Sequence, residues 1–242
     1  MTAPPSHPPA RRRGGRAARL AEGGRAAGDP GVLSDSDLAE RQVELRKGSG
    51  ETLVIACGAL AREILALIEA NGLSGLDVTC LPALLHNRPE QIPERVRATI
   101  RGARAAGYRR VLIGYGDCGT GGGLDRVCAE EGVERLPGAH CYAFFSGVAA
   151  FEGREEIDAF YLTDFLVRQF DVLVWRGMGL DRDPSLRAVY FKHYARVVYL
   201  AQLEDPALDR AARAAAERLG LAYEKRSVGY GDLAPALVAA AR

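Results

Sequence analysis

The chain has almost no net charge: 32 Lys and Arg stand against 31 Asp and Glu, a formal +1 at neutral pH. No global field would gather nucleic acid or an anionic membrane onto it. It also lacks a long hydrophobic run. The longest apolar stretch, Leu53 to Ala61, is interrupted by Gly58 and falls well short of the roughly 18 residues a membrane helix needs. No apolar stretch follows the Arg-rich start, so no secretory signal is read there. Cysteines number five, an odd count with no Cys-x-x-Cys spacing. That argues against a disulfide framework and for a reducing cytoplasm in which thiols stay free for metals or nucleophilic chemistry.

What positive charge there is lies at the N-terminus, where six arginines from Arg11 to Arg25 face only Glu22. Residues 1–48 are rich in Pro, Gly, Arg and Ala without apolar periodicity and read as a disordered extension. Residues 49–242 read as a single α/β domain, with two related halves left open because Gly114-Tyr-Gly-Asp117 recurs as Gly229-Tyr-Gly-Asp232. With 48% apolar residues the chain can bury a full core.

Strand and helix patterns alternate through this region. Leu53–Ala56, Leu76–Leu81 and Arg110–Tyr115 read as strands, each followed by helical spacing. The expected fold is an open, mainly parallel, doubly wound sheet flanked by helices, with a helix-rich insertion in the second half. Helical spacing is read over His140–Phe151, Leu162–Phe170 and Pro184–Tyr194, with a short strand at Val172–Trp175. A final strand is expected near Tyr223–Val228.

The chemistry concentrates at the third strand's end, in Gly114-Tyr-Gly-Asp-Cys-Gly-Thr-Gly-Gly-Gly123. Open α/β sheets bind ligands at such edges. Glycines opening a helix let backbone N–H groups approach an anion, so Gly119, Thr120, Gly121 and Gly122 are candidate anion-binding residues for a small anionic ligand. The turn is no Walker loop, since Gly-Lys-Ser/Thr is missing. His86 and Arg88 follow the second strand and suit the same task.

Three cysteines sit at strand ends or turns: Cys57, Cys118 and Cys141. If they converge they form a soft metal site for zinc or an iron–sulfur cluster, with Cys118 and Asp117 carrying the catalysis. Cys80 and Cys128 fall mid-strand and mid-helix and read as buried hydrophobes. Two metal-free alternatives remain open. Cys118, Asp181 or Asp183 and His193 follow a hydrolase-like chain order, and Cys118 with Cys141 loosely echoes the paired acid and base of amino-acid racemases.

Ala56-Cys-Gly-Ala-Leu60, Leu84-Leu-His-Asn-Arg-Pro89, Gly114-Tyr-Gly-Asp-Cys-Gly-Thr-Gly121, His140-Cys-Tyr142 and Thr163-Asp-Phe165 together resemble the prokaryotic family known as domain of unknown function 1638. The resemblance runs over roughly 51–235. That family's members often lie beside genes for corrinoid-dependent methyltransferases. The resemblance therefore implies a link to one-carbon metabolism of methylated amines, and makes a corrinoid methyltransferase a candidate partner. It also leaves room for a non-catalytic metallochaperone or accessory role. The shared motifs include Cys57, Cys118 and Cys141 and leave out Cys80 and Cys128.

Overall fold

The computed structural model describes residues 34–48, 50–154 and 156–242. The first half runs α1 (Asp35–Glu40), β1 (Val43–Arg46), β2 (Thr52–Cys57), α2 (Ala61–Ala70), β3 (Leu76–Leu81), α3 (Ile92–Ala105), β4 (Arg110–Gly114), α4 (Gly123–Glu131) and β5 (Glu134–Arg135). Its strands form one sheet in the order β1-β3-β2-β4-β5, parallel except for β1 against β3. Every residue of β2 and β3 is buried, which is why Leu53–Ala56 of β2 reads as a continuous apolar run, while β3 also buries Asp77 and Thr79. Helix α3 buries Ile92, Val96, Ile100 and Ala103, a spacing that keeps one face on the sheet. Truncating a fully buried residue such as Ile55 would cost about 2–5 kcal/mol.

From β2 the chain moves to β3 on one side, then crosses back to place β4 on the other. The strand order therefore reverses between β2 and β4, and the crevice outside their carboxyl ends is where such sheets take ligands. Cys57 ends β2, and Tyr115 to Cys118 follow β4.

The second half begins with two short helices, α5 (Ala143–Ser146) and α6 (Val148–Glu152), broken apart at Gly147 with φ 79°. It continues through β6 (Ala159–Thr163), α7 (Asp164–Arg168), α8 (Leu186–Tyr190), β7 (Arg196–Ala201), α9 (Pro206–Leu219), β8 (Ala222–Ser227) and α10 (Leu233–Ala240). Its three strands form a second, wholly parallel sheet, β6-β7-β8. Helix α9 starts on the Asp205 side chain, which accepts from Ala207 N–H, and stops at left-handed Gly220. Between these caps Leu208, Ala212, Ala215, Ala216 and Leu219 are buried.

The fold is α/β and parallel-dominated, as expected, but the strands divide between two sheets. Three local expectations change. Residues 159–163 are strand, where helical spacing was read from Leu162 onward. Phe170–Arg176 is a π-helical turn, not a strand at Val172–Trp175; its apolar run packs beneath α7 without joining a ladder. The expected disordered extension ends too late, because α1 and β1 lie inside it. Ser34 caps α1 through Asp37, and β1 completes the edge of the first sheet. The rest of that extension, residues 1–33, lies outside the described residues. Among the described residues no helix is long and apolar enough to cross a membrane.

Candidate functional site

After β4 the chain turns sharply and runs beside the segment 138–141. Asp117 N–H donates to Gly138 O (3.0 Å) and Cys118 N–H to Ala139 O (2.7 Å). Gly116 permits this approach: a Cβ there would stand 2.8–2.9 Å from the His140 backbone, closer than atoms can pack. Arg135 holds the returning segment by donating to the carbonyls of Leu136 and Gly138 while its other nitrogens grip Asp125. The result brings two distant cysteines together. The sulfurs of Cys118 and Cys141 are 3.0 Å apart, and Gly116 N–H points at Cys141 Sγ from 3.5 Å.

Both thiols are buried, at 4% and 3% exposure, so their proton is shared under constraint. Cys118 is held below the ordinary thiol range, first because the Cys141 thiol donates to it and then because the backbone N–H groups of Cys141 and Gly116 aim at it. Cys141 is pushed the other way by the same hydrogen bond, by burial and by the adjacent charge. The pair therefore ionises first at Cys118, with Cys141 keeping its proton. Cys118 is also the one non-glycine with positive φ (49°) among the described residues, a left-handed conformation that costs on the order of 1 kcal/mol.

The glycine turn that follows closes on itself. The Asp117 carboxylate accepts from Thr120 Oγ1 (2.7 Å), Gly121 N–H (3.1 Å) and Gly122 N–H (2.8 Å). Thr120 Oγ1 in turn accepts from Leu124 N–H at 3.2 Å, capping α4. The N–H groups of Gly121 and Gly122 are thus satisfied by the chain's own carboxylate, and those of Thr120 and Gly123 by backbone carbonyls. Although partial burial opposes it, this hydrogen bonding holds Asp117 below the usual carboxylate range, with Arg135 adding to the effect. Gly119 is exposed and rests on Pro89. The expected anion cradle is a self-capped turn.

The opening lies on the other side of Cys141. A cleft of about 200 Å³ lies between the segments that follow β2 and β3 on one side and β6 with the segment leading into β7 on the other, and Cys141 forms part of its wall. The first half contributes Ala59, Leu60, Ala83 and His86; Tyr142 and Phe145 follow Cys141; the second half contributes Phe160, Tyr161, Thr163 and Leu166 among others. Tyr142 stacks on His140 (4.8 Å) and on Tyr161 (5.4 Å), tying the two walls into one aromatic surface. Asn87 holds the walls in register through Nδ2 donating to Leu173 O at 3.0 Å. Burial and the nearby His140 lower the His86 pKa to about 4. It is therefore a neutral imidazole at physiological pH, able to donate or accept one hydrogen bond.

The remaining expectations sort as follows. His86 lines the cleft, whereas Arg88 is exposed and outside its lining; the turn at Asn87 to Pro89 carries it to the surface. Cys57 is buried at the end of β2, and burial pushes its thiol up to about 12. It lies close enough to influence Cys118 and Cys141. Even so, among the described residues no three His, Cys, Asp or Glu side chains are arranged to hold a metal. The structure thus assembles a pair of cysteines and leaves the third as a neighbour. Tyr115 stands beside them. Its fully buried hydroxyl lies among Cys57, Cys141, Cys80 and Cys118 and faces the Cys57 sulfur.

Both metal-free alternatives also change. Paired racemase cysteines must stand on opposite faces of a substrate carbon, and thiols in direct contact leave no room for one. The hydrolase order is not assembled in space: Asp181, Asp183 and His193 are exposed and outside the cleft, and Asp183 is bound to Ser185. Cys80 and Cys128 are buried within β3 and α4, as expected. The second wall, Phe160, Tyr161, Leu166 and Tyr194, has no counterpart among the candidate residues read from the sequence. Thr163-Asp164 was the available signal. It marks a strand end at which Thr163 caps α7 and Asp164 accepts from Tyr199, Gln202 and Leu203.

A family model described as Protein of unknown function (DUF1638) matches residues 80–237. Cys118, Cys141 and His86 fall inside the match and Cys57 falls before it. No curated protein and no solved structure matches the chain.

Proposed function

The chain belongs to the DUF1638 family, and from its cleft we propose that it is a small-molecule enzyme whose reacting group is the Cys118–Cys141 pair. One observation carries this reading: two thiols 3.0 Å apart, one of them facing a cleft. Cys141 is the nucleophile because it reaches the cleft. Cys118 is its base. As Cys141 sulfur bonds to an electrophilic carbon, its proton passes to the Cys118 thiolate, and the same proton can return to a leaving or newly formed group. His86, neutral and in the wall, orients the substrate by a hydrogen bond.

The test is alkylation by iodoacetamide at neutral pH, followed by peptide mapping. Cys141 or its partner Cys118 should be modified first, well ahead of Cys57, Cys80 and Cys128, because Cys118 is held below the ordinary thiol range while those three are raised. Uniform slow modification of all five cysteines would overturn the reading.

A soft metal ion is the second reading, favoured by the proximity of Cys57 to Cys118 and Cys141. Zinc or an iron–sulfur cluster on Cys57, Cys118 and Cys141 would require the Cys57 sulfur to shift toward the pair and lose its proton. Metal analysis and an absorption spectrum of anaerobically purified protein decide it: metal in stoichiometric amount that Cys57→Ser removes supports this reading, and metal-free protein ends it. A cytoplasmic location suits either chemistry, since both need reduced thiols. An accessory role beside a corrinoid methyltransferase rests on the family's gene neighbourhoods alone; complex formation without turnover would support it.

A further inference from the structure

The cleft wall carries no formal charge. Its lining holds no Asp, Glu, Lys or Arg. Two carboxylates beside the wall are engaged elsewhere: Glu156 takes the Tyr161 hydroxyl at 2.7 Å together with Arg226 and Arg196, and Asp164 is enclosed by Tyr199, Gln202 and Leu203. A charged ligand buried here would lose its hydration without an ionic partner, which is strongly unfavourable. A ring would meet complementary surface in Tyr142, Phe145, Phe160 and Tyr161. The free volume of about 200 Å³ somewhat exceeds the roughly 150 Å³ of an engineered apolar cavity that takes benzene. Three polar groups remain for orientation, the His86 imidazole and the hydroxyls of Tyr142 and Tyr194. None of them makes a hydrogen bond among the described residues, while each belongs to a residue that lines the cleft.

We propose that the cleft binds an uncharged, ring-bearing molecule of about ten non-hydrogen atoms, its ring among these aromatic side chains and one oxygen turned toward His86. This rests on the reading of Cys141 as the reacting group, because it gives that group's substrate class. It also replaces the small anionic ligand expected from the glycine turn.

Three probes that share a ring and differ in charge test it: benzyl alcohol, benzoate and protonated benzylamine, each titrated calorimetrically into the full chain. Benzyl alcohol should bind at least about tenfold more tightly than either ion. Ala59→Leu, which fills the cleft from its wall, should remove that binding while the circular dichroism spectrum stays unchanged. Cys141→Ser should keep it. Equal or tighter binding of benzoate or benzylamine, no binding of any probe, or binding that survives Ala59→Leu would each overturn the proposal. Benzyl alcohol binding without selective alkylation would sink the thiol reading and leave this one standing. Selective alkylation without binding would do the reverse.

Discussion

The first half brings the Cys141 thiol and the His86 imidazole to the cleft, and the second half brings aromatic rings and a hydroxyl. The strands that border it are parallel in both sheets, so topology alone does not separate them. The loops do. On the first side, Gly116 lets two backbone segments touch and forces Cys118 against Cys141. On the second, Thr163 and Asp164 are consumed in capping and bracing, and what faces the cleft is the strand's own side chains. The first wall is thus built to hold a proton and the second to hold a shape.

Substitutions on each side should therefore fail differently. The largest effect is expected at Cys118. Cys118→Ser should slow alkylation of Cys141 by about 100-fold, since both the base and the shared proton are lost, whereas Cys57→Ser should change it little. Equal losses in the two variants would mean that three thiols act together, as a metal site requires.

Within the first wall, the self-capped turn should matter for stability and not for ligand. Asp117→Ala removes the acceptor for three donors and should cost about 1–3 kcal/mol in denaturant unfolding. Inorganic phosphate should stabilise neither protein. Because Asp117 has a lowered pKa in the fold, its contribution is complete above the usual carboxylate range and disappears as pH falls through the folded value. Asp117→Asn should lack that acid limb.

The joint between the two halves carries a titrating group of the opposite sign. Glu63 on α2 is buried, and burial raises it from 4.5 to about 7 despite the nearby Arg168 of α7. One of its carboxylate oxygens has no hydrogen-bond partner, and Arg168 pairs instead with Asp35 at 2.9 Å. The folded state thus holds this proton more tightly than the unfolded chain. Stability from this group is complete below the unfolded pKa of 4.5 and declines as pH rises toward about 7. Glu63→Gln should flatten that decline and stabilise the protein at about pH 8 by roughly 1–3 kcal/mol. A Gln variant that loses stability there would show that the charged form is favoured.

The smallest effect is expected on the second wall. Tyr161→Ala should weaken benzyl alcohol binding by about tenfold, the value of one aromatic contact in a closed site, and leave the alkylation rate of Cys141 nearly unchanged. If it instead suppresses alkylation, the walls are coupled and the division between proton and shape is wrong.

Much of the first wall was legible in the sequence because its signals are local. A buried apolar run ending in glycines marks a strand end, and Cys57, Cys118 and Cys141 sort from Cys80 and Cys128 on position alone. What the sequence could not show was which donors the turn would satisfy first. Asp117 reads as catalytic until its oxygens are seen to be occupied by Thr120, Gly121 and Gly122. The pairing of Cys118 with Cys141 to the exclusion of Cys57 depends on a close approach that only the folded backbone reveals. The second wall was hidden for another reason. Phe160, Tyr161 and Leu162 look like packing residues with helical spacing, and the strand they form is stabilised by Arg196–Leu200, more than thirty residues away. Arg88 misled because charge near a strand end was read as facing inward, while its short turn faces solvent.

The account's central claim is that Cys118 ionises below the ordinary thiol range because the Cys141 thiol donates a hydrogen bond to it. Thiolate ultraviolet absorbance of the reduced protein, followed across pH, tests this most directly. Cys57, Cys80, Cys128 and Cys141 are all raised and Cys118 alone is lowered. One thiolate should therefore appear below the ordinary thiol range, the other four only above it, and Cys141→Ser should move that first step upward. Two or more thiolates forming together, or a first step unmoved by Cys141→Ser, would contradict it.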